Sequence, residues 1–195
     1  MKRKMNKFYL LVLFMGTVLD SNAQTKYFLD NNSSNLVVEG TSSIHDWEME
    51  ANDLKSAIVL RFNENTLTTI EHVDFASPAK KILSDNSIMN SKTHDALKVD
   101  KNPEIIFTLK SVNHLDVNGN SISGVVTGNL KIAGIARTIR INFKGKMNPD
   151  HFVTLSGTVP LKMSDFDIDP PTAMLGALKT GDDIKVHFEF LYKKE

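Results

Sequence analysis

Residues 122–132 alternate strictly between two kinds of position, which places alternate residues on opposite faces of an extended chain. One face carries Ile122, Gly124, Val126, Gly128, Leu130 and Ile132, and the other face is mostly polar. This period of two predicts a β-strand with one dry and one wet face. Glycine weakens a strand and often marks a bend or a close approach by another group. The two glycines on the dry face therefore predict a strongly coiled sheet that encloses space.

Seven further segments have strand-like patterns and are joined by turns rather than by helices. They are residues 36–39, 57–62, 67–76, 105–112, 138–145, 152–163 and 184–193. Closely spaced strands of this kind favour an antiparallel sandwich or barrel. An eight-stranded barrel has an interior that side chains can fill or that can hold one small ligand. The glycines on dry faces, Gly124, Gly128 and Gly157, favour a ligand cavity.

Two segments depart from the strand pattern. Residues 78–98 place apolar side chains at irregular helical spacing, which predicts a short helix. Residues 164–183 form a long connection with Pro170, Pro171 and Gly176, and its Ala-Met-Leu-Gly-Ala-Leu stretch predicts a helical turn. Connections of this length inside a domain are often functional lids or plugs.

The N-terminus has the features of a secretory signal peptide. Four basic residues lie within the first seven, residues 8–19 form an apolar run, and small residues follow at Ser21 and Ala23. We expect cleavage before Gln24, so that residues 1–23 are removed and residues 24–195 form one periplasmic or secreted domain. The apolar run is short for a bilayer span, which disfavours the alternative of an uncleaved membrane anchor.

Composition narrows the function classes further. The chain contains no cysteine, which excludes disulfides, thiolate metal sites, thiol nucleophiles and the acylated cysteine of bacterial lipoproteins. Residues 24–195 carry 19 basic and 22 acidic side chains, a net charge of −3, and contain no run of basic residues. This charge pattern argues against nucleic acid and against an anionic membrane surface as the main partner.

The six histidines lack the spacing of a zinc site, since none follows another by two to four residues. The alternative that histidines distant in sequence come together across neighbouring strands stays open. His45 and Asp46 are neighbours, and neighbouring residues of a strand point to opposite faces, which argues against a base–carboxylate dyad. An enzymatic variant would need His45 or His187 to face the cavity beside a carboxylate.

Three aspartates, Asp165, Asp167 and Asp169, have the spacing that begins a calcium loop. Pro170 and Gly176 stand where that loop needs a glycine and a closing glutamate, so we expect a solvated loop with Asp165 as a cap. The sequence also lacks the nucleophile-elbow, phosphate-loop and paired-carboxylate patterns of common enzymes. It predicts a protein that is not an enzyme and that has no metal site.

Four segments of the chain, in the same order, resemble those of one known family. They are residues 40–47 (Gly-Thr-Ser-Ser-Ile-His-Asp-Trp), 96–107 with its Asn-Pro-Glu-Ile-Ile-Phe stretch, 128–134 (Gly-Asn-Leu-Lys-Ile-Ala-Gly) and 161–166 (Leu-Lys-Met-Ser-Asp-Phe). The chain resembles the YceI-like family of polyisoprenoid-binding, lipocalin-like proteins over nearly all of residues 24–195. It departs from the family pattern at Met163, where arginine is usual, and at Asp167, where glycine is usual.

The resemblance implies an all-β fold, an eight-stranded antiparallel lipocalin-like barrel that is exported and often forms a homodimer. It also implies a long isoprenoid or quinone-type lipid as the partner in the channel, with no covalent cofactor. Such a tail binds without specific polar contacts, because each buried CH₂ contributes about 0.8 kcal/mol. The side chains that we expect to line the channel are Trp47, Phe75, Phe107, Leu130, Ile132, Phe143, Met163, Phe166 and Phe188.

The predicted function is a carrier or store of this lipid, with a link to envelope stress. The alternative is a non-catalytic structural or interaction barrel with a packed core. A continuous internal void distinguishes the first function from the second.

Overall fold

The computed structural model describes residues 22–64, 66–173 and 178–194, and in this part of the chain it contains twelve strands and one α-helix. The strands are β1 (Asn22–Leu29), β2 (Asn35–Ser42), β3 (Trp47–Ala51), β4 (Lys55–Asn63), β5 (Thr66–Pro78), β6 (Ile82–Leu83), β7 (Glu104–Asn118), β8 (Ser121–Ile132), β9 (Ile135–Asn148), β10 (Phe152–Lys162), β11 (Thr172–Ala173) and β12 (Leu178–Lys194). The helix is α1 (Ser87–Leu97), and short 3-10 turns occupy Asn31–Ser33, Ala79–Lys81 and Ser164–Phe166.

Eight of these strands close an antiparallel barrel in the order β1-β4-β5-β7-β8-β9-β10-β12, as the sequence predicts. The barrel closes where the end of β12 pairs with β1, at Leu29 and Tyr192. An earlier part of β12 pairs with β2, which places Gly40 opposite Ile184. From β2 the sheet continues through β3 to β6 beside the barrel. β12 thus joins the closed barrel to β2, β3 and β6, which continue the same sheet at one end and which we call the second layer.

One of the eight strands that form the barrel differs from the prediction. Residues 36–39 lie in β2, in the layer beside the closed barrel, and the eighth barrel strand is β1. The hydrophobic pattern does not predict β1 because three large residues follow one another there. Tyr27 is buried, while Phe28 lies on the outer face with the Lys26 ammonium 4.7 Å from its ring centroid.

The dry face predicted for residues 122–132 is confirmed. Every second residue of β8 from Ile122 to Ile132 is buried, and the residues between them are half-buried or exposed. A two-residue turn fixes the register of β8 against β9. Its residues, Ala133 and Gly134, have φ values of 48° and 89°, as a type I′ hairpin turn requires.

One end of the barrel is closed by packed side chains around two tyrosines. The surrounding buried residues are Ile58, Leu60, Phe62, Leu67, Met147 and Val153. Tyr27 donates a hydrogen bond to the Pro149 carbonyl at 2.6 Å, and the Tyr192 hydroxyl lies 2.9 Å from Ser56 Oγ. Burial raises the pKa of each tyrosine hydroxyl to about 12. Both hydroxyls are therefore neutral at ordinary pH.

The short helix predicted within residues 78–98 is present as α1. Asn86 caps its start, because its side chain accepts hydrogen bonds from the backbone N–H groups of Ile88 and Met89. Lys98 ends the helix in a left-handed conformation with φ of 53°. Leu97 is buried and Met89 packs against the core. The helix thus covers part of the second layer.

The connection over residues 164–183 is shorter than predicted, since β12 already begins at Leu178. Ala173 and Leu178, the ends of the predicted helical turn, pair with each other as strand residues, and residues 174–177 lie outside the described part. The prediction that Asp165 caps this segment is wrong. Asp182 holds the turn instead, since its carboxylate accepts hydrogen bonds from Ser164 N at 2.8 Å and Ser164 Oγ at 2.6 Å.

The predicted signal peptide lies outside the described residues, apart from Asn22 and Ala23 at the start of β1. None of the helices in the described ranges is long and apolar enough to cross a membrane.

Candidate ligand cavity

A cavity of about 490 Å³ lies inside the barrel and extends under α1. All nine side chains expected to line the channel lie in its wall, from Trp47 on β3 to Phe188 on β12. The long strands β7 to β10 and β12 contribute to the wall mainly through their dry faces, because alternate residues of a strand point to the same side. The sequence-predicted residues are therefore brought together around one space.

Four aromatic rings of this wall lie directly over a glycine of a neighbouring strand. The pairs are Phe107 with Gly128, Phe143 with Gly124, Phe188 with Gly157 and Trp47 with Gly40. A Cβ atom placed on these glycines would stand between 2.2 and 2.8 Å from a ring carbon, closer than any van der Waals contact. The glycines let the rings lie close to the wall. The space beside each glycine is thus filled by an aromatic ring and is not an open gap.

A series of aromatic rings leads from the cavity wall to the closed end. Phe75 stacks on Phe190 with ring centroids 5.6 Å apart, and Phe188 lies 5.2 Å from Phe190. Phe190 then meets Tyr192 edge to face at 6.2 Å. Phe190 and Tyr192 line the cavity but are absent from the sequence-predicted set. The alternation of apolar and polar residues along β12 could have identified both of them.

The helix and β6 supply wall residues that sequence reasoning missed. Ile82, Met89, Ala96 and Leu97 contribute apolar surface to the cavity. Thr93 Oγ1 lies 3.2 Å from the sulfur of Met49 on β3, which ties the helix to the second layer. The cavity is therefore bounded by both the barrel and this cover.

Polar side chains gather in the wall where the turn between β2 and β3 meets the start of β12. Ser43 N donates to the Lys179 carbonyl at 2.9 Å, and Lys179 N donates to Ser43 Oγ at 3.2 Å. Trp47 Nε1 donates to the Thr41 carbonyl at 3.0 Å. These bonds join the two segments, and we call this region, with the exposed face of α1, the mouth of the cavity.

The charged groups of the cavity wall are basic. Lys92 on α1, Lys162 on β10 and Lys179 on β12 all line it, and no carboxylate side chain does so among the described residues. Lys162 forms an ion pair with Asp183 at 3.1 Å, and this carboxylate raises the pKa of the lysine. No sequence motif distinguishes these lysines from the other lysines of the chain.

Ser77 on β5 is a polar exception within the apolar wall. It is 2% exposed, and its Oγ has no hydrogen-bond partner among the described residues. A buried hydroxyl without a partner lowers stability. Nothing in the hydrophobic pattern of β5 identifies this position in advance.

The two histidines considered for an enzymatic variant lie in different surroundings. His45 lines the mouth, but its Nδ1 lies 2.8 Å from the backbone carbonyl of Asp46. His187 is bound to Glu39 and Thr158, each at 2.9 Å, and does not line the cavity. Within the described part of the chain, no group of three or more histidine and carboxylate side chains is placed to hold a metal ion.

The YceI-like domain family matches residues 27–191, which cover nearly all of the barrel. The chain belongs to this family. None of the curated proteins compared with the chain matches it by sequence.

Solved structures share the YceI-like fold at low sequence identity. A polyisoprenoid binding domain from Saccharophagus degradans, implicated in plant cell wall breakdown, aligns with a TM-score of 0.70 and 14% identity over 87% of this chain and 98% of its own. Burkholderia cenocepacia BcnA aligns with a TM-score of 0.66 and 17% identity over 84% and 98% of the two chains. The Campylobacter jejuni YCEI protein aligns with a TM-score of 0.57 and 19% identity over 75% and 84%. These similarities show the fold.

Proposed function

We propose that this YceI-like protein is an exported lipid-binding protein that holds a long isoprenoid or quinone-type amphiphile inside its barrel. The observation that carries the proposal is the continuous apolar cavity of about 490 Å³, with polar side chains confined mainly to its mouth. This volume lies within the usual range for small-molecule sites, which are mostly apolar with a few polar groups. A polyisoprenoid binding domain with the same fold supports the choice of ligand class.

The energetics favour a ligand with a long apolar tail. Each CH₂ group transferred from water into the cavity contributes about 0.8 kcal/mol, so several isoprene units suffice for stable binding. The aromatic rings that lie over Gly124, Gly128 and Gly157 offer flat apolar surface to such a tail. A polar end of the ligand is then left at the mouth.

The export and the role as a carrier or store rest on the N-terminal sequence and on the family resemblance. A signal peptide over residues 1–23 would deliver the barrel to the periplasm or to the medium. There a prenyl lipid or quinone needs a protein to shield its tail from water. A link to envelope stress and a homodimer belong to the same proposal.

Organic extraction of the purified protein, followed by mass spectrometry, tests the proposal. We expect a co-purifying prenyl lipid, and we expect the delipidated protein to take up ubiquinone or menaquinone analogues. A clean extract together with no uptake of either analogue would refute the proposed function.

The cavity also bears on the alternative of an interaction barrel with a packed core. That alternative needs side chains to fill the barrel, whereas a space of about 490 Å³ lies between the side chains of this wall. The internal void therefore favours the ligand-binding function.

A further inference from the structure

We infer that the ligand of this cavity carries an anionic head group, a phosphate or a carboxylate, which Lys92 and Lys179 bind at the mouth. The inference rests on the proposed function and specifies the chemistry of its ligand. Lys92 lies on α1 and Lys179 at the start of β12, so two different elements each bring one lysine to the wall of the same cavity. Both side chains are exposed, so the head group would stay near water.

The sign of the charge along the wall supports this head group. Every described side chain in the wall with a full charge at neutral pH is a lysine, and no carboxylate accompanies them. Lys162 is already neutralised by Asp183. Lys92 and Lys179 form no ion pair with another described residue, which leaves both available to an anion.

The acidic residues around the 164–183 segment are engaged elsewhere or lie outside the cavity wall. Asp182 accepts two hydrogen bonds from Ser164, and these bonds lower the pKa of its carboxyl group. Asp183 is paired with Lys162. Asp165, Asp167 and Asp169 are exposed and do not line the cavity. The negative charge of this loop is therefore directed away from the interior.

Apolar residues at the mouth lie beside the cations. Ile88 is 69% exposed and lines the mouth four residues before Lys92, so both lie on one face of α1. Ile44, which is 61% exposed, lies in the turn that is hydrogen-bonded to the Lys179 segment. An amphiphile fits this arrangement, because the start of its tail would cover the isoleucines while its anionic head reaches the lysines.

Ammonium groups bind phosphate and carboxylate oxygens through charge-assisted hydrogen bonds. Exposed pairs of this kind are weakened by salt, so the preference for an anionic head should decrease as ionic strength rises. A neutral head group would show no such dependence. The dependence of affinity on salt concentration therefore separates the contribution of the head group from that of the buried tail.

Binding of three probes that share one C20 isoprenoid tail tests the inference: geranylgeraniol, geranylgeranyl phosphate and geranylgeranoic acid. We expect the wild-type protein at low salt to bind at least one anionic probe about tenfold more tightly than the alcohol. The K92Q/K179Q variant should lose most of this preference and should still bind the alcohol. The K144Q/K185Q variant removes the same charge from the outer barrel wall and should keep the preference.

The outcomes separate the head group from the tail. Equal affinity for all three probes, or a preference that K92Q/K179Q retains, overturns the inference and leaves the proposed function standing. Failure of the wild-type protein to bind any of the probes contradicts the proposed function itself. If the preference is found, the stronger of the two anionic probes identifies the head group as a phosphate or a carboxylate.

Discussion

The ring of Phe107 lies on Gly128 of the neighbouring strand, so close that a Cβ on the glycine would stand 2.3 Å from Phe107 Cζ. Phe107 pairs with Leu130, so its ring reaches diagonally across the strand pair to the glycine. Because glycine has no side chain, the ring can lie close to the wall. A side chain at position 128 would force the ring to turn into the cavity.

Gly128→Ala should therefore destabilise the protein, although alanine is usually the better residue in a strand. The added methyl group would meet the Phe107 ring and also the Thr108 carbonyl oxygen at 2.6 Å, and a backbone atom cannot move aside. We expect a loss of about 1–3 kcal/mol in the free energy of unfolding, measured by urea denaturation. Ser123→Ala, on the wet face of the same strand, should change stability by no more than about 0.5 kcal/mol. Equal stability of the two variants would show that the ring does not depend on the glycine.

The walls of the barrel could be predicted from the sequence because the long strands keep a strict period of two. In β8 the alternation assigns each residue to a face, and a shift of one residue would have exchanged Leu130 for Lys131 in the wall. The same alternation in β9 and β12 places Phe143 and Phe188 in the cavity wall. The glycines on the dry faces were interpreted as signs of enclosed space, but the space beside them is occupied by aromatic rings of the wall itself.

The mouth could not be predicted because its residues come from segments without a period. Lys92 lies on an exposed helix face, and Lys179 belongs to a segment that the pattern assigns to a loop. Their common position depends on the pairing of β2 with β12 and on the placement of α1. Both are tertiary contacts that the local sequence does not specify. The same holds for β1, where consecutive large residues conceal the alternation.

Two serines offer a test of the buried hydroxyl in the cavity wall. Ser77 Oγ has no partner among the described residues, so Ser77→Ala removes an unsatisfied polar group and should stabilise the ligand-free protein by about 1 kcal/mol. Ser56 Oγ donates to the Asp74 carbonyl at 2.6 Å and contacts the Tyr192 hydroxyl, so Ser56→Ala should cost about 1–2 kcal/mol. Urea denaturation of both variants checks the opposite signs. A loss of stability in Ser77→Ala as large as that in Ser56→Ala would contradict the prediction.

The buried tyrosines predict a loss of stability in alkali. The pKa of Tyr192 is raised by burial to about 12, while the tyrosine of an unfolded chain titrates near its ordinary value of about 10. The folded state thus holds the proton more tightly, so its stabilising effect is complete below pH 10 and is lost between pH 10 and 12. The loss amounts to roughly 2–3 kcal/mol.

The slope of unfolding free energy against pH measures this effect. Tyr192→Phe should flatten the slope between pH 10 and 12, because phenylalanine has no proton to release. Tyr27→Phe/Tyr192→Phe should flatten it further, since burial also raises the pKa of Tyr27 to about 12. If the wild-type protein and Tyr192→Phe lose stability equally over this range, the hydroxyl is not kept neutral by the fold.

Filling the cavity distinguishes a ligand site from a packed core. Val186 is half-buried on β12 and lines the cavity, where it lies opposite Val159 and Val38 on the adjacent strands. In Val186→Phe the larger side chain would occupy space that a lipid tail needs. Displacing two or more CH₂ groups of the tail costs roughly 1.6 kcal/mol or more, so geranylgeraniol should bind at least tenfold more weakly.

Stability provides the second readout for this variant. A ring that enters open space should leave the urea midpoint nearly unchanged, whereas a ring forced into a packed core would cost about 1–3 kcal/mol. Val125→Phe adds the same ring on the outer face of β8 and should alter neither binding nor stability appreciably, because Val125 is half-exposed and does not line the cavity. Strong destabilisation by Val186→Phe, with lipid binding no weaker than that of Val125→Phe, would mean that the tail lies elsewhere and that this part of the barrel is filled by its own side chains.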